Sequence, residues 1–185
     1  ITHTDIIGHN SFYDKYIINY SSKEVVDKIE NIKNILVKTV FKEFDVPPCY
    51  ISMTSDVFSV GSGLASSSSY MISLLKSVSL MKNLNLSNYE LSTLAMKLER
   101  KFNPLLGFQD TYGCGIGKLK RIDCTFKNSP QIKYLPDNIF NFFDMYVVYS
   151  GISRNSTDIL KTINTTDNTS ISVSYTHLTL PTIYS

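Results

Sequence analysis

Apolar positions recur along most of this chain with one of two periods, and the period assigns the elements. Tyr16-Ile17-Ile18-Asn19-Tyr20 is a short β-rich run and predicts a strand that needs a sheet to pair with. Ile29, Ile32, Leu36, Val40 and Phe44 follow at spacings of three or four, which predicts one helix over roughly 23–44. Pro47 and Pro48 end it. Residues 49–55 alternate Tyr50, Ser52 and Thr54 with Ile51 and Met53 and read as a second strand. Met71, Leu74, Leu75 and Val78 then fall at i, i+3, i+4 and i+7 of a helix. Ser87-Asn88-Tyr89-Glu90 has the spacing of a capping box and opens another helix, with Leu91, Leu94, Ala95 and Leu98 as its apolar stripe. That helix stops before Pro104, whose ring restricts the residue ahead of it. Further strands are predicted at 118–126 and 142–150, the second nearly all apolar and therefore central, and another helix from Ile152.

Composition narrows this picture without redirecting it. The 185 residues, 43% hydrophobic and 18% charged, have the balance of a soluble globular protein with one sizeable core. No run approaches the roughly eighteen apolar residues of a membrane span, and the first residues lack a signal-peptide pattern, so the cytoplasm is the expected compartment. The net charge of +2 is dispersed rather than gathered in a stripe, which gives no case for nucleic acid. Cys49, Cys114 and Cys124 are odd in number and widely separated, and are read as reduced thiols. His3, His9 and His177 form no metal-ligand or triad-like spacing.

Both ends carry a signal of their own. The chain starts at Ile1, close ahead of a strand, and is expected to begin mid-domain. Residues 173–182, Val-Ser-Tyr-Thr-His-Leu-Thr-Leu-Pro-Thr, are similar to one reading frame of a transposase-type sequencing adapter. Residues 173–185 are therefore set aside from functional reading, and the natural chain is expected to be cut near Ser172.

The candidate chemistry starts at Gly61-Ser62-Gly63-Leu64-Ala65-Ser66-Ser67-Ser68-Ser69. By composition alone this is a flexible linker. Its position argues otherwise, because it joins a strand to a strongly periodic helix, where a turn of a few residues is expected. Strand, small-residue loop and helix together aim backbone N–H groups and the positive end of the helix dipole at an anion, and polyphosphate is the natural ligand. Gly61 and Gly63 permit close approach, and the serine hydroxyls can donate to phosphate or ligate Mg²⁺. No Gly-Lys-Ser or Gly-Lys-Thr is present, which excludes a Walker-type loop lysine.

Downstream, Leu98-Glu99-Arg100 ends a helix, and Gly107-Phe108-Gln109-Asp110 is read as a loop that brings a second carboxylate back toward Glu99. Gly113-Cys114-Gly115-Ile116-Gly117 precedes a strand and is read as a turn into a hairpin, not a dinucleotide fingerprint.

The loop from Gly61 to Ser69 is similar to the Gly-Leu-Gly-Ser-Ser-Ala second motif of the GHMP kinases, with two departures. The proline usual before the glycines is absent, and Ala65 stands where the glycine after leucine is usual, a place where a left-handed backbone would be strained. The Glu-Arg followed by Gly-x-x-Asp also resembles that family. Phe108-Gln109-Asp110-Thr111-Tyr112 and residues 150–161 resemble its heptose-phosphate kinase branch.

The resemblance runs from about Asp14 to Asn164 and implies an α+β fold with a mostly antiparallel sheet packed against helices. It implies an ATP-binding domain over 1–140 and the start of a second domain over 141–172. Gly61, Ser62, Gly63, Leu64, Ala65, Ser66, Ser67 and Ser68 would hold ATP, Ser67 and Glu99 would hold Mg²⁺, and Asp110 would act as catalytic base. Arg154 is a candidate contact to a sugar phosphate. The Gly-Gly-Gly-Thr-Asp type opening segment and the glycine-rich third motif of the family are not found, as truncation at both ends predicts, and the fragment by itself is expected to be inactive. Three readings stay open: a sugar-phosphate kinase or a relative acting on galactose or mevalonate, a non-catalytic sugar or nucleotide sensor on the same scaffold, and a plain α/β module with a serine-rich linker.

Overall fold

The structure is a computed structural model that describes residues 2–9, 14–56, 63–124 and 129–136, with single positions 138, 142, 144, 146 and 148. Four strands, β1 (Thr2–His9), β2 (Tyr16–Asn19), β3 (Lys23–Val26) and β4 (Cys49–Ser55), form one sheet in the order β1-β4-β2-β3. The β1/β4 and β2/β3 pairs are antiparallel, and β2 runs parallel to β4. A second sheet pairs β5 (Lys120–Asp123) antiparallel with β6 (Gln131–Tyr134). The helices are α1 (Ile35–Phe44), α2 (Ser66–Met81), α3 (Asn88–Glu99) and α4 (Phe108–Gly115). The fold is α+β, as expected.

Strand alternation decides which sheet face is covered. Tyr16 and Ile18 on β2 and Cys49, Ile51 and Met53 on β4 are buried, while their neighbours in sequence are not. Helix α2 lies against β1, where the Ser77 hydroxyl donates to the Thr4 carbonyl at 2.8 Å, and it also packs on α1, α3 and α4. All four residues of its expected stripe, Met71, Leu74, Leu75 and Val78, are fully buried. At roughly 1.5–3 kcal/mol for each large side chain removed from water, that stripe anchors α2 and with it the loop at its start.

The single helix expected over 23–44 is not there. Val25 and Val26 pair with Ile17 and Tyr16 in the β2/β3 hairpin, a short 3-10 turn occupies Ile29–Asn31, and only Ile35–Phe44 is α-helical. Ile32 is buried, but as a connector residue. The buried Glu24 carboxylate explains the break. It accepts the Lys33 amide at 2.6 Å, the Asn34 amide at 2.9 Å and the Tyr20 hydroxyl at 2.8 Å. Asn34 then caps α1 by accepting from the amides of Leu36 and Val37. Long-range strand pairing plus these bonds outweighs the helical periodicity. At the other end, Asp45 closes α1 in a left-handed conformation ahead of Pro47.

Two further expectations change. Phe108–Gly115 is a helix rather than a loop and turn, with Gly107 at its N-cap, and β1 and β6 are strands that the periodicity did not reveal. The strand expected at 118–126 spans 120–123. The strand expected at 142–150, apart from Phe142, Asp144, Tyr146 and Val148, lies outside the described residues, as do the helix from Ile152 and residues 173–185.

The Glu24 contacts hold its carboxyl below the usual range against the opposing effect of burial, which is individually the largest influence on it. A depressed folded pKa means that the stabilisation is complete above the unfolded value of 4.5 and fades as pH falls through the folded value. Glu24→Ala should lower the unfolding free energy at pH 7 by about 3 kcal/mol, because two amides and a hydroxyl lose their acceptor. Urea melts should show the deficit shrinking at acid pH.

Candidate active site

Three chain segments meet where α2 begins. Gly63 has φ 75°, a conformation that suits glycine, and Ala65 follows in the left-handed region at φ 53° and ψ 35°, directly before the first helical residue, Ser66. An alanine there is strained by roughly 1–2 kcal/mol. The turn is held from within the helix, since the Ser69 amide donates to the Ala65 carbonyl at 2.9 Å, and from outside by the Cys114 thiol at 3.8 Å from that same carbonyl. Leu64, at the tip, is 47% exposed. In any helix the first-turn amides point out of the N-terminus, so this end of α2 presents donors and a positive dipole toward the loop.

Helix α3 delivers Glu99 at its last position, only 1% exposed. Its two carboxylate oxygens are taken separately. The Ser67 hydroxyl donates to Oε1, and the Ser68 hydroxyl donates to Oε2 at 2.8 Å. Ser67 is exposed, whereas its neighbour Ser68 is 1% exposed. Burial pushes the Glu99 carboxyl up, the two serine bonds oppose that rise, and the charge of Asp110 adds to it.

Asp110 sits in the first turn of α4, and burial raises its carboxyl as well. The mutual repulsion is felt on Glu99, the more buried of the two, which places both carboxylates in one electrostatic neighbourhood. Helix α4 is fixed by close packing. A Cβ at Gly115 would land on the Ser92 hydroxyl and 2.9 Å from Ile72 Cδ1, so glycine lets α4 approach both α3 and α2. Tyr112, fully buried, shares a 2.8 Å hydrogen bond with Thr93 and meets Tyr89 edge-on. Arg100 donates to the Leu106 carbonyl at 3.0 Å and stacks its guanidinium over Phe108, tying the α3–α4 connection.

Of the residues singled out from sequence, Gly63, Leu64, Ala65, Ser66, Ser67 and Ser68 form the loop and first turn, and Ser67, Glu99 and Asp110 lie together around it. Gly61, Ser62 and Arg154 lie outside the described residues. Sequence reasoning missed Ser68 as a partner of Glu99. The signal was available, since Ser68 extends the buried stripe three positions ahead of Met71 and is thus a polar residue on an apolar face. Cys114 was missed because its helix was read as a turn; on a helix it lies one turn beyond Asp110, and it feels the charges of Asp110 and Glu99. Hydroxyl and carboxylate oxygens form a hard donor set that suits Mg²⁺. Among the described residues, no cluster of three or more His, Cys, Asp or Glu side chains offers a metal site made by those residues alone.

A sequence model of the GHMP kinases N terminal domain matches residues 29–118, which include α1 to α4 and the loop before α2. A D-glycero-alpha-D-manno-heptose 7-phosphate kinase of Campylobacter jejuni is 30% identical over 152 residues, aligned to 76% of this chain and 44% of its own length. The chain thus spans less than half of that relative. A crystal structure of a candidate sugar kinase from Campylobacter jejuni superposes with a TM-score of 0.59 at 24% identity, covering 73% of this chain and 46% of the other. A D-glycero-D-manno-heptose 1-phosphate kinase from Bacteroides thetaiotaomicron gives 0.60 at 21% identity, covering 73% and 47%. These two likenesses establish the fold.

Two variants test the local energetics. Ala65→Gly should stabilise the protein by up to about 1 kcal/mol in urea titrations, because relief of the left-handed alanine exceeds the added freedom of the unfolded chain. Glu99→Gln should stabilise it near pH 8. The folded carboxyl of Glu99 is raised, so the native state holds a proton that the unfolded state has released, and stability falls as pH rises from the unfolded value of 4.5 through the folded one. The advantage of glutamine should therefore vanish near pH 4; an advantage independent of pH would contradict this reading.

Proposed function

We propose, from the match of residues 29–118 to the GHMP kinases N terminal domain, that the protein transfers the γ-phosphate of ATP to a hydroxyl of a phosphorylated sugar, with heptose 7-phosphate the first candidate. The observation that carries this reading is the convergence of the α2 N-terminus, the Ser67–Glu99 pair and Asp110. The polyphosphate would lie in the turn from Gly61 to Ser68, against the first-turn amides of α2. Ser67 and Glu99 would hold Mg²⁺, which when bound neutralises charge on the phosphate oxygens. The acceptor hydroxyl oxygen forms its bond to the γ-phosphorus as the bridging bond to ADP breaks, and its proton passes to the Asp110 carboxylate. Burial lifts the Asp110 carboxyl, which makes it a stronger base than a solvated aspartate.

The same reading places the ATP-binding domain in 1–140, the start of a second domain in 141–172, and Arg154 as a contact to the sugar phosphate. It also makes the protein a cytoplasmic enzyme of carbohydrate metabolism; no helix among the described residues is long and apolar enough to cross a membrane. Support for the substrate comes from the named activity of the 30% identical Campylobacter relative.

The test uses the full-length protein that carries this chain. Coupled assays of ADP release across heptose phosphates, galactose and mevalonate should show turnover with a heptose phosphate. A non-catalytic sensor on this scaffold would bind saturably and release no ADP. Asp110→Asn should reduce kcat by roughly 10²–10⁴-fold while nucleotide binding persists. Unchanged turnover in that variant would remove Asp110 from the mechanism.

A further inference from the structure

Ser68 occupies the place that alanine holds in the Gly-Leu-Gly-Ser-Ser-Ala motif, counting from Gly63 and Leu64. An alanine there could donate nothing. In this chain the side chain is 1% exposed, lies on the buried face of α2, and directs its hydroxyl to Glu99 Oε2 at 2.8 Å. Glu99 Oε1 is left to Ser67, which is itself exposed. The carboxylate is therefore held by two donors from adjacent positions of one helix turn, one inside the core and one at its edge.

We infer that Ser68 is a positioning residue for the metal site: its hydroxyl fixes the inner oxygen of Glu99 so that the outer oxygen stays aimed, with Ser67, at a divalent cation bound with the nucleotide. The inference rests on the kinase reading above. Its physical basis is that a ligating carboxylate needs its second oxygen satisfied and its plane fixed, and that loss of such an outer partner weakens metal binding by roughly 10–100-fold. In the wild-type protein the buried Oε2 has that partner. With alanine it would have a gap the size of a hydroxyl, and the carboxylate could turn about its terminal bond.

The experiment measures Mn²⁺ binding to the full-length protein by electron paramagnetic resonance, in the presence of a non-hydrolysable ATP analogue, for wild type, Ser68→Ala and Ser68→Thr. Mg²⁺-dependence of turnover is followed in parallel. Ser68→Ala should raise the Mn²⁺ dissociation constant about tenfold and raise the Mg²⁺ concentration for half-maximal rate in step, with the KM for the sugar unchanged. Ser68→Thr, which keeps the hydroxyl, should recover most of the loss. A Mn²⁺ constant unchanged in Ser68→Ala would overturn the role of Ser68 while leaving the kinase reading intact. Equal weakening by alanine and threonine would overturn it too, since packing rather than the hydroxyl would then be responsible. Absence of any Mn²⁺–nucleotide binding by the wild type would overturn the kinase reading and this inference together.

Discussion

A buried carboxylate must be satisfied where it lies, and Glu99 is satisfied by a junction between two helices. The last residue of α3 meets the first turn of α2 through two serine hydroxyls, one to each oxygen. These bonds oppose the desolvation that raises the carboxyl, and they couple the register of two helices that are otherwise joined by apolar packing. A buried, partly compensated charge is an expensive way to join helices when a leucine would suffice. It becomes intelligible if a cation shares the site, because the cation supplies the compensation that two neutral hydroxyls cannot complete.

The surrounding structure brings the other partners to that point. The buried apolar stripe of α2 anchors the helix in the core, and the left-handed pair of Gly63 and Ala65 turns the chain into it. The glycine at 115 allows α4 to approach closely, which brings Asp110 and Cys114 to the same end of α2. Cys49, by contrast, is a core residue whose thiol is pushed up to about 12 by burial, far from any reactive range.

Much of this was legible in the sequence because local signals and tertiary outcome agree. The stripe Met71-Leu74-Leu75-Val78, the capping box at Ser87 and Glu90, and the strand at 49–55 all appear where the periodicity places them. Residues 23–34 were misread because the β2/β3 pairing and the hydrogen bonds of Glu24 are long-range, whereas the spacing of Ile29, Ile32 and Leu36 is compatible with a helix that nothing else supports. Phe108–Gly115 was misread because its glycines are poor helix formers; the helix stands on Tyr112 and on the close approach that Gly115 permits. At the site, residue types, order and the family resemblance singled out Ser67, Glu99 and Asp110 as candidates. Ser68 lay on the legible buried stripe, but its partner Glu99 is 31 residues away and only the tertiary packing of α2 on α3 brings them together.

The claim that most depends on this geometry is that Ser67 and Glu99 hold the cation beside the nucleotide phosphates. A crystal structure of the full-length protein with Mn²⁺ and a non-hydrolysable ATP analogue, with the metal located by its anomalous scattering, tests it most directly. The predicted result is a metal peak within coordination distance of Ser67 Oγ and a Glu99 carboxylate oxygen, with the phosphates against the start of α2. A nucleotide bound with its metal away from both residues, and Glu99 still closed on the two serines, would contradict the account.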